Sequence, residues 1–193
     1  RGIGKIHLDI DLSRKASYVI IVLPYEPPPA RYYEEGVKVA FVSIRRNDPT
    51  ALNPKIKASN LLNNVMAYIQ AKEQQAYEGL FCNLSGHITE CTSSNFFIVK
   101  RGTLITPAPG AGLLEGVVRG LTLELAAANS IPVKEMDMVP QDCLDANESF
   151  ITSSLKGIMP VRRLGDQSFS PIPGPITKLL TDAYRQYIKA GKT

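Results

Sequence analysis

Short apolar segments separated by compact turns are the feature of this chain that most limits how it can fold. Between residues 79 and 106, Ser85-Gly86 and Arg101-Gly102 each separate two such segments. Compact turns connect neighbouring antiparallel strands, whereas parallel strands need a long crossover. Helical patterns occur between other predicted strands, so the sequence predicts an α+β fold rather than a doubly wound parallel sheet.

One amphipathic helix is predicted from Ser59 or Asn60, either of which can cap it, to about Tyr77. Its apolar residues recur at the i, i+3, i+4, i+7 spacing and are Leu62, Val65, Met66 and Ile69. This spacing places the four side chains on one face, which we expect to be buried.

Three other segments are predicted to build the scaffold. The β-branched run from Ser17 to Pro24 indicates a buried strand. Helices are expected from Gly116 to about Asn129 and from Pro175 to Ala190, because apolar residues repeat there with helical spacing.

Composition excludes several classes of function. The 193 residues suffice for one domain or one large lobe with its own core. A net charge of +4, scattered along the chain, predicts no nucleic-acid partner. The longest apolar stretch is too short to cross a bilayer, so no membrane association is expected. The three cysteines lack a CxxC spacing and the two histidines are far apart, so we expect no metal site and reduced thiols in a cytoplasm.

One lysine is a candidate catalytic residue. Lys57 follows the proline-restricted segment Asn53-Pro54 and precedes the first predicted helix, so ordered backbone would hold its amine. A lysine that forms a Schiff base must also be partly desolvated. On spacing alone, the alternative is that Lys55 and Lys57 are two ordinary surface lysines.

Two further segments could bind phosphate. The Gly-rich loop before Gly116 opens a helix, whose first backbone amides can hold an anion. The run Thr152-Ser153-Ser154, at the end of a predicted strand, adds hydroxyl donors. Each has a plainer explanation, since helices commonly start after such a loop and strands commonly end in polar residues.

The candidate lysine and the two candidate phosphate-binding segments belong to an ordered series of motifs along the chain. In chain order the motifs are Asn53-Pro54-Lys55-Ile56-Lys57-x-x-Asn60, Gly86-x-Ile88-Thr89-Glu90-x-x-x-x-Asn95-Phe96-Phe97, Leu104-Ile105-Thr106-Pro107, Leu113-Leu114-Glu115-Gly116-Val117-Val118-Arg119, Glu148-Ser149-Phe150-Ile151-Thr152-Ser153-Ser154 and Met159-Pro160-Val161. The series resembles the class IV, pyridoxal-phosphate-dependent aminotransferases, a family that includes branched-chain aminotransferases, D-amino-acid aminotransferase and aminodeoxychorismate lyase. The resemblance extends from Arg1-Gly2-Ile3-Gly4 to the last predicted helix.

The resemblance implies an α+β fold with a mostly antiparallel pseudo-barrel flanked by helices, the large cofactor-binding lobe of a fold-type IV enzyme. Family members carry an N-terminal α/β lobe ahead of the position of Arg1. The chain is therefore expected to be the C-terminal lobe, residues 12–193, with residues 1–11 at the interdomain junction. A homodimer is also implied.

The same resemblance assigns the reactive groups. Lys57 would hold pyridoxal 5′-phosphate as a Schiff base and, once freed, move a proton to and from the substrate α-carbon. Glu90 would accept a hydrogen bond from the ring nitrogen of the cofactor. The backbone amides of Val117 and Val118, with the hydroxyl of Ser154, would bind the phosphate.

The remaining implied site residues lie in two turns. Ser153 and the amide of Leu155 would lie near the phosphate or the substrate carboxylate. Ser94 and Asn95 would shape their turn and the edge of the cofactor. Many relatives carry Gly-Thr-Ala where this chain has Ser153-Ser154-Leu155, so the bulkier leucine would narrow the substrate pocket.

The implied reaction is amino transfer between an amino acid and a 2-oxo acid, with a branched-chain substrate favoured. Two alternatives stay open at this stage. One is aminodeoxychorismate lyase, which eliminates pyruvate and yields 4-aminobenzoate. The other is an inactive cofactor-binding fragment.

Overall fold

A computed structural model describes residue 4 and residues 6–191, so Arg1 to Ile3 and Lys5 of the expected junction lie outside the described residues. The strands are β1 (Val37–Arg45), β2 (Glu78–Cys82), β3 (Ile88–Cys91), β4 (Asn95–Lys100), β5 (Thr103–Pro107), β6 (Val133–Met136), β7 (Glu148–Ser153), β8 (Gly157–Leu164) and β9 (Gln167–Ser168). The helices are α1 (Arg31–Glu34), α2 (Leu62–Glu73), α3 (Val117–Ala128) and α4 (Pro175–Lys189).

The strands form one mixed sheet in the order β3-β2-β1-β8-β7-β4-β5-β6, with β9 paired to β8. Both predicted hairpins are confirmed, because β2 and β3 are antiparallel, as are β4 and β5. In contrast, β1 pairs in parallel with β2 and β8. The backbone N–H of Ile88 donates to the carbonyl of Met138 over 2.7 Å, which joins β3 to the segment after β6. The sheet therefore curls toward a barrel, and the α+β prediction is confirmed.

Helices α3 and α4 cover one face of the sheet. Ala126 of α3 and Leu180 of α4 are buried in one apolar cluster with strands β4 and β7. In that cluster the rings of Phe97 and Phe150 stack with centroids 4.8 Å apart. This core fixes the start of α3 relative to the ends of β4 and β7, which is where the candidate site lies. None of the helices in the described ranges is long and apolar enough to cross a membrane.

Helix α2 differs from its prediction at both ends. It follows Leu61 rather than a capping Ser59 or Asn60, and no side chain caps its first turn. It ends at Glu73, before the predicted Tyr77.

The face that α2 buries was also predicted wrongly. The residues that pack on the sheet are Ala67 and Ala71, opposite Gly79. A Cβ added to Gly79 would lie 3.2 Å from the Ala67 carbonyl oxygen, so the helix and the strand are too close for large side chains. The apolar residues therefore point outward, with exposed fractions of 68% for Leu62, 51% for Val65, 46% for Met66 and 52% for Ile69.

The prediction of a buried strand from Ser17 to Pro24 is wrong for the described structure. The segment pairs with no strand of the described residues. Its large apolar side chains, Tyr18 to Leu23, are all exposed. A β-branched run favours extended backbone, but it needs a neighbouring edge and a covering layer before it can be buried.

We predict that Gly157→Ala lowers the free energy of unfolding by about 3 kcal/mol, because left-handed strain adds to overpacking. Gly157 has φ of +63°, and an added Cβ would lie 2.8 Å from Cε1 of Tyr184. Gly102→Ala is the matched control, since Gly102 has φ of +77° with no atom within 4 Å of the added carbon. Gly102→Ala should lower the free energy of unfolding only by the cost of left-handed backbone strain, about 1–2 kcal/mol. Urea unfolding followed by circular dichroism measures both, and equal losses would contradict the ring contact.

Candidate active site

The centre of the site is the buried carboxylate of Glu90 on β3, whose side chain is 8% exposed. Its Oε1 accepts a hydrogen bond from Nε of Arg46 at 2.9 Å, and Nη2 of the same guanidinium lies 2.9 Å away in the ion pair. Its Oε2 accepts from the backbone N–H of Leu114 at 3.1 Å, while Nδ2 of Asn95 is 3.5 Å away. A carboxylate has about four lone-pair directions. Since the Asn95 contact is long, Oε2 can accept one more donor.

Burial and ion pairing act on Glu90 in opposite directions. Burial raises the pKa of Glu90, because its charged form loses hydration, while the Arg46 guanidinium and the Leu114 N–H oppose that rise. Arg46 also donates to Asn63 and Asn64 in the first turn of α2, at 3.1 and 3.3 Å. The arginine therefore links the carboxylate to the helix that follows Lys57.

Lys57 lies in an irregular segment between two anchors. On one side Lys55 pairs with Glu115 at 2.9 Å. On the other side Nδ2 of Asn63 donates to the carbonyl of Arg45 at 2.8 Å. Glu115 follows Leu114 and Arg45 precedes Arg46, the two residues that bind the Glu90 carboxylate. Both ends of the segment that contains Lys57 therefore contact residues next to that site. Lys57 is exposed, and the described residues do not supply the desolvation that a Schiff-base lysine requires.

The loop before α3 is braced by Asn95. Nδ2 of Asn95 donates to the carbonyl of Leu114 at 2.7 Å. Its Oδ1 lies so close to Gly116 that an added Cβ there would clash with it. Gly116 is the N-cap of α3, and no side chain caps the helix, so the amides of Val117 and Val118 face outward from the first turn.

The end of β7 completes this region. Thr152 is the register partner of Asn95, and α3 packs against β7. The hydroxyl oxygens of Thr152 and Ser153 are buried and find no hydrogen-bond partner among the described residues. Leaving such groups unpaired is costly. Thr152 lies opposite Asn95, which contacts the uncapped start of α3, so its hydroxyl fits a donor to a phosphate ester bound there.

The other predicted site residues lie in the two turns expected for them. The hydroxyl of Ser94 donates to Oε1 of Glu78 at 2.6 Å, so this residue shapes its own turn. Ser154 and Leu155 are exposed between β7 and β8. Leu155 is 68% exposed and Val117 is 81% exposed, so two apolar side chains of the region are available to a ligand or another protein surface.

Sequence reasoning missed Arg46, although a usable signal was present. Residues Ala40, Val42 and Ile44 of β1 form the face that packs on α2. Continuing the two-residue period by one step reaches Arg46, which is buried as the alternation requires. A basic residue on a buried face needs a carboxylate partner, which here is Glu90.

The cysteines do not contribute nucleophiles. All three, Cys82, Cys91 and Cys143, are free and buried. Burial raises the pKa of each thiol, well above its usual value for Cys91 and to about 12 for Cys143. The thiols therefore stay protonated near neutral pH. Within the described ranges no cluster of His, Cys, Asp or Glu is placed to hold a metal ion.

Comparison with known proteins identifies the family to which this chain belongs. The family model for amino-transferase class IV matches residues 1–164. The chain belongs to the class IV aminotransferases, which use pyridoxal 5′-phosphate.

Individual relatives carry two kinds of name. A protein of Methanocaldococcus jannaschii, named as a branched-chain-amino-acid aminotransferase, is 33% identical over 96% of this chain and 64% of its own length. A D-alanine aminotransferase of Listeria innocua is 35% identical over 76% of this chain and 50% of its own length. A crystal structure of the branched-chain amino acid aminotransferase of Thermobaculum terrenum, in its pyridoxal-phosphate form, superposes with a TM-score of 0.77 and 30% identity. That match covers 81% of this chain and 52% of the other. The chain thus spans between about half and two thirds of these relatives.

We predict that Arg46→Met lowers the free energy of unfolding by about 3–5 kcal/mol at pH 8, because it leaves a buried carboxylate unpaired. The loss should be smaller at pH 5.5. Without Arg46 the pKa of Glu90 rises further in the folded state, so the folded protein gains a proton as the pH falls and recovers stability. Urea unfolding at both pH values measures this difference.

The matched control is Arg45→Met, which removes an exposed guanidinium one residue earlier. Its loss should stay within about 0.5 kcal/mol at either pH. An Arg46→Met deficit that is the same at pH 8 and pH 5.5 would contradict the assigned ion pair.

Proposed function

We propose that the protein to which this chain belongs transfers an amino group between an amino acid and a 2-oxo acid, with a branched-chain amino acid as preferred substrate. The observation that carries the proposal is the buried Glu90 carboxylate, with room on Oε2, beside uncapped helix amides and unpartnered hydroxyls. Among the relatives, one that covers nearly the whole chain is named as a branched-chain aminotransferase. Aminodeoxychorismate lyase gains no support from the relatives named above.

Lys57 would bind the cofactor and handle the proton. Its Nζ would attach to the aldehyde carbon of pyridoxal 5′-phosphate and, after release, take the proton from the substrate α-carbon. When bound, the cofactor supplies an electron-accepting ring. The anchors on either side of Lys57 support this role, since they keep its backbone next to the Glu90 region.

Glu90 would orient the ring. Its Oε1 is held by a hydrogen bond from Nε of Arg46 and by the ion pair with the same guanidinium, so the carboxylate cannot rotate freely and Oε2 faces one direction. A protonated ring nitrogen could donate to Oε2, and the negative charge would keep that proton in place. Asn95 would hold the neighbouring loop at a constant distance through its bond to Leu114.

The phosphate would be bound where α3 begins. The amides of Val117 and Val118 offer two donors, and the helix dipole favours an anion there. The hydroxyls of Ser153 and Ser154, on the other side, would complete the set. The Ser153 hydroxyl has no partner among the described residues, which supports its assignment to this ligand.

The substrate would lie against apolar side chains. Leu155 and Val117 are both exposed near the expected phosphate site, and an aliphatic side chain of a branched amino acid could pack on them. The amide of Leu155 would be near the substrate carboxylate. Much of the pocket would come from residues outside this chain, since the relatives are longer.

We also propose that the protein is a homodimer that acts in the cytoplasm. The outward face of α2 exposes four large apolar side chains together, those of Leu62, Val65, Met66 and Ile69. An apolar patch of this size needs a covering partner. A second copy of the same face could cover it. Three free buried thiols fit a reducing compartment.

We predict that pyridoxal 5′-phosphate followed by borohydride labels Lys57, because the segment that carries it is anchored at both ends near the Glu90 region. Peptide mapping by mass spectrometry locates the label. Lys57→Ala should abolish labelling, whereas Lys72→Ala, which removes an exposed lysine in the last turn of α2, should retain at least half of it. A folded wild-type protein without label on Lys57 would contradict the assigned site.

Activity assays on the labelling-competent protein then separate the reactions. Amino transfer from L-leucine to 2-oxoglutarate, faster than from D-alanine, is the expected result. Release of 4-aminobenzoate from aminodeoxychorismate, without amino transfer, would replace the proposed reaction by the lyase.

For the dimer, we predict that Val65→Lys shifts the protein from dimer to monomer, because a charge in a buried apolar interface is costly. Sedimentation velocity over a range of protein concentrations measures the shift. Leu84→Lys is the control, since Leu84 is 70% exposed and lies in the β2–β3 turn, away from α2. A dimer that survives Val65→Lys would exclude this face as the interface.

A further inference from the structure

The turn between β7 and β8 is tied to a second turn, residues 92–94, by one partly buried lysine, Lys156. Nζ of Lys156 donates to Oε1 of Glu78 in a short bond, to the hydroxyl of Ser93 at 2.7 Å and to the hydroxyl of Ser94 at 3.2 Å. The Lys156 side chain is 14% exposed and that of Glu78 is 2% exposed. An ammonium group has three donors, and all three are used, so Lys156 is not itself available to a ligand.

Glu78 accepts hydrogen bonds from all three residues of the 92–94 turn. Its Oε2 accepts from the backbone N–H of Ser93 at 2.7 Å and from the hydroxyl of Thr92 at 3.2 Å. Its Oε1 accepts from the hydroxyl of Ser94 at 2.6 Å. The turn therefore has a fixed shape immediately before Asn95, the residue that braces the start of α3.

The backbone of the first turn is held as well. The hydroxyl of Tyr33 donates to the carbonyl of Lys156 at 2.9 Å, and that of Tyr25 donates to the carbonyl of Leu155. The Lys156 ammonium also lies 5.2 Å from the centre of the Tyr77 ring, an attractive cation–π distance. These contacts fix the carbonyl groups of the two residues that follow Ser154, while the Ser154 side chain stays exposed.

We propose that Lys156 is a positioning residue, whose ion pair with Glu78 holds the Ser153–Leu155 turn in the conformation that binds the cofactor phosphate. This inference rests on the proposed function for the identity of the ligand. The physical reason is that Ser153 and Ser154 can both donate to one phosphate only if their backbone is fixed relative to the helix amides of α3. The ion pair connects their turn, through the 92–94 turn and Asn95, to that helix.

The first test needs no cofactor. We expect Lys156→Met to raise amide hydrogen exchange in peptides that cover residues 153–157, since methionine keeps the apolar stem and loses all three bonds. Lys156→Arg should restore much of the protection, because it returns a cation to Glu78. Unchanged exchange in Lys156→Met would overturn the proposal.

The second test compares pyridoxal 5′-phosphate with pyridoxal, which lacks the phosphate. Binding is followed by near-ultraviolet absorbance or by borohydride labelling. Lys156→Met should weaken binding of the phosphate ester about tenfold, a loss equivalent to one charge-assisted hydrogen bond. Binding of pyridoxal should change less than about twofold. Equal weakening of both ligands would show a general structural role and overturn the proposal.

Two further variants keep the result interpretable. Glu78→Gln/Lys156→Met removes both charges, so the protein does not carry an unpaired buried carboxylate, and it should still bind the phosphate ester more weakly than wild type. Lys134→Met is the matched control, because Lys134 is exposed on β6 and should change neither measurement. If wild type fails to label on Lys57 while Lys156→Met still increases exchange at 153–157, the proposed function fails and the turn-holding role of Lys156 stands.

Discussion

The ion pair between Arg46 and Glu90 is the interaction on which the rest of the site depends. It lets a carboxylate exist in the interior, where its charge alone would be unfavourable. It also joins three parts of the chain that are distant in sequence, since Arg46 bonds to the start of α2 and Glu90 bonds to the loop before α3. The geometry around Lys57 follows from this junction rather than from any regular structure at the lysine itself.

Local chemistry explains which parts of the fold the sequence could predict. Turns such as Arg101-Gly102 determine their own conformation, so the hairpins and the α+β class follow from a few neighbouring residues. The motifs are likewise short runs of neighbouring residues, and their order along the chain indicated the family. The roles of Lys57 and Glu90 came from that resemblance and stay predictions.

What could not be predicted depends on distances between elements. The outward face of α2 results from the close approach of Ala67 to Gly79, which no periodicity encodes. Likewise, the pairing of Lys156 with Glu78 joins residues 78 positions apart and has no spacing signal. Arg46 could be predicted in part, because the alternation of β1 indicates that it is buried but does not indicate that Glu90 is its partner.

The hydrogen bond from Ile88 to Met138 has a consequence for how this chain behaves in solution. It occupies a backbone donor on the outer strand of the curled sheet, where an open edge would otherwise recruit foreign strands. The exposed run from Tyr18 to Leu23 has no such protection and is rich in β-branched residues. Self-association by strand addition would therefore begin at this run rather than at β3.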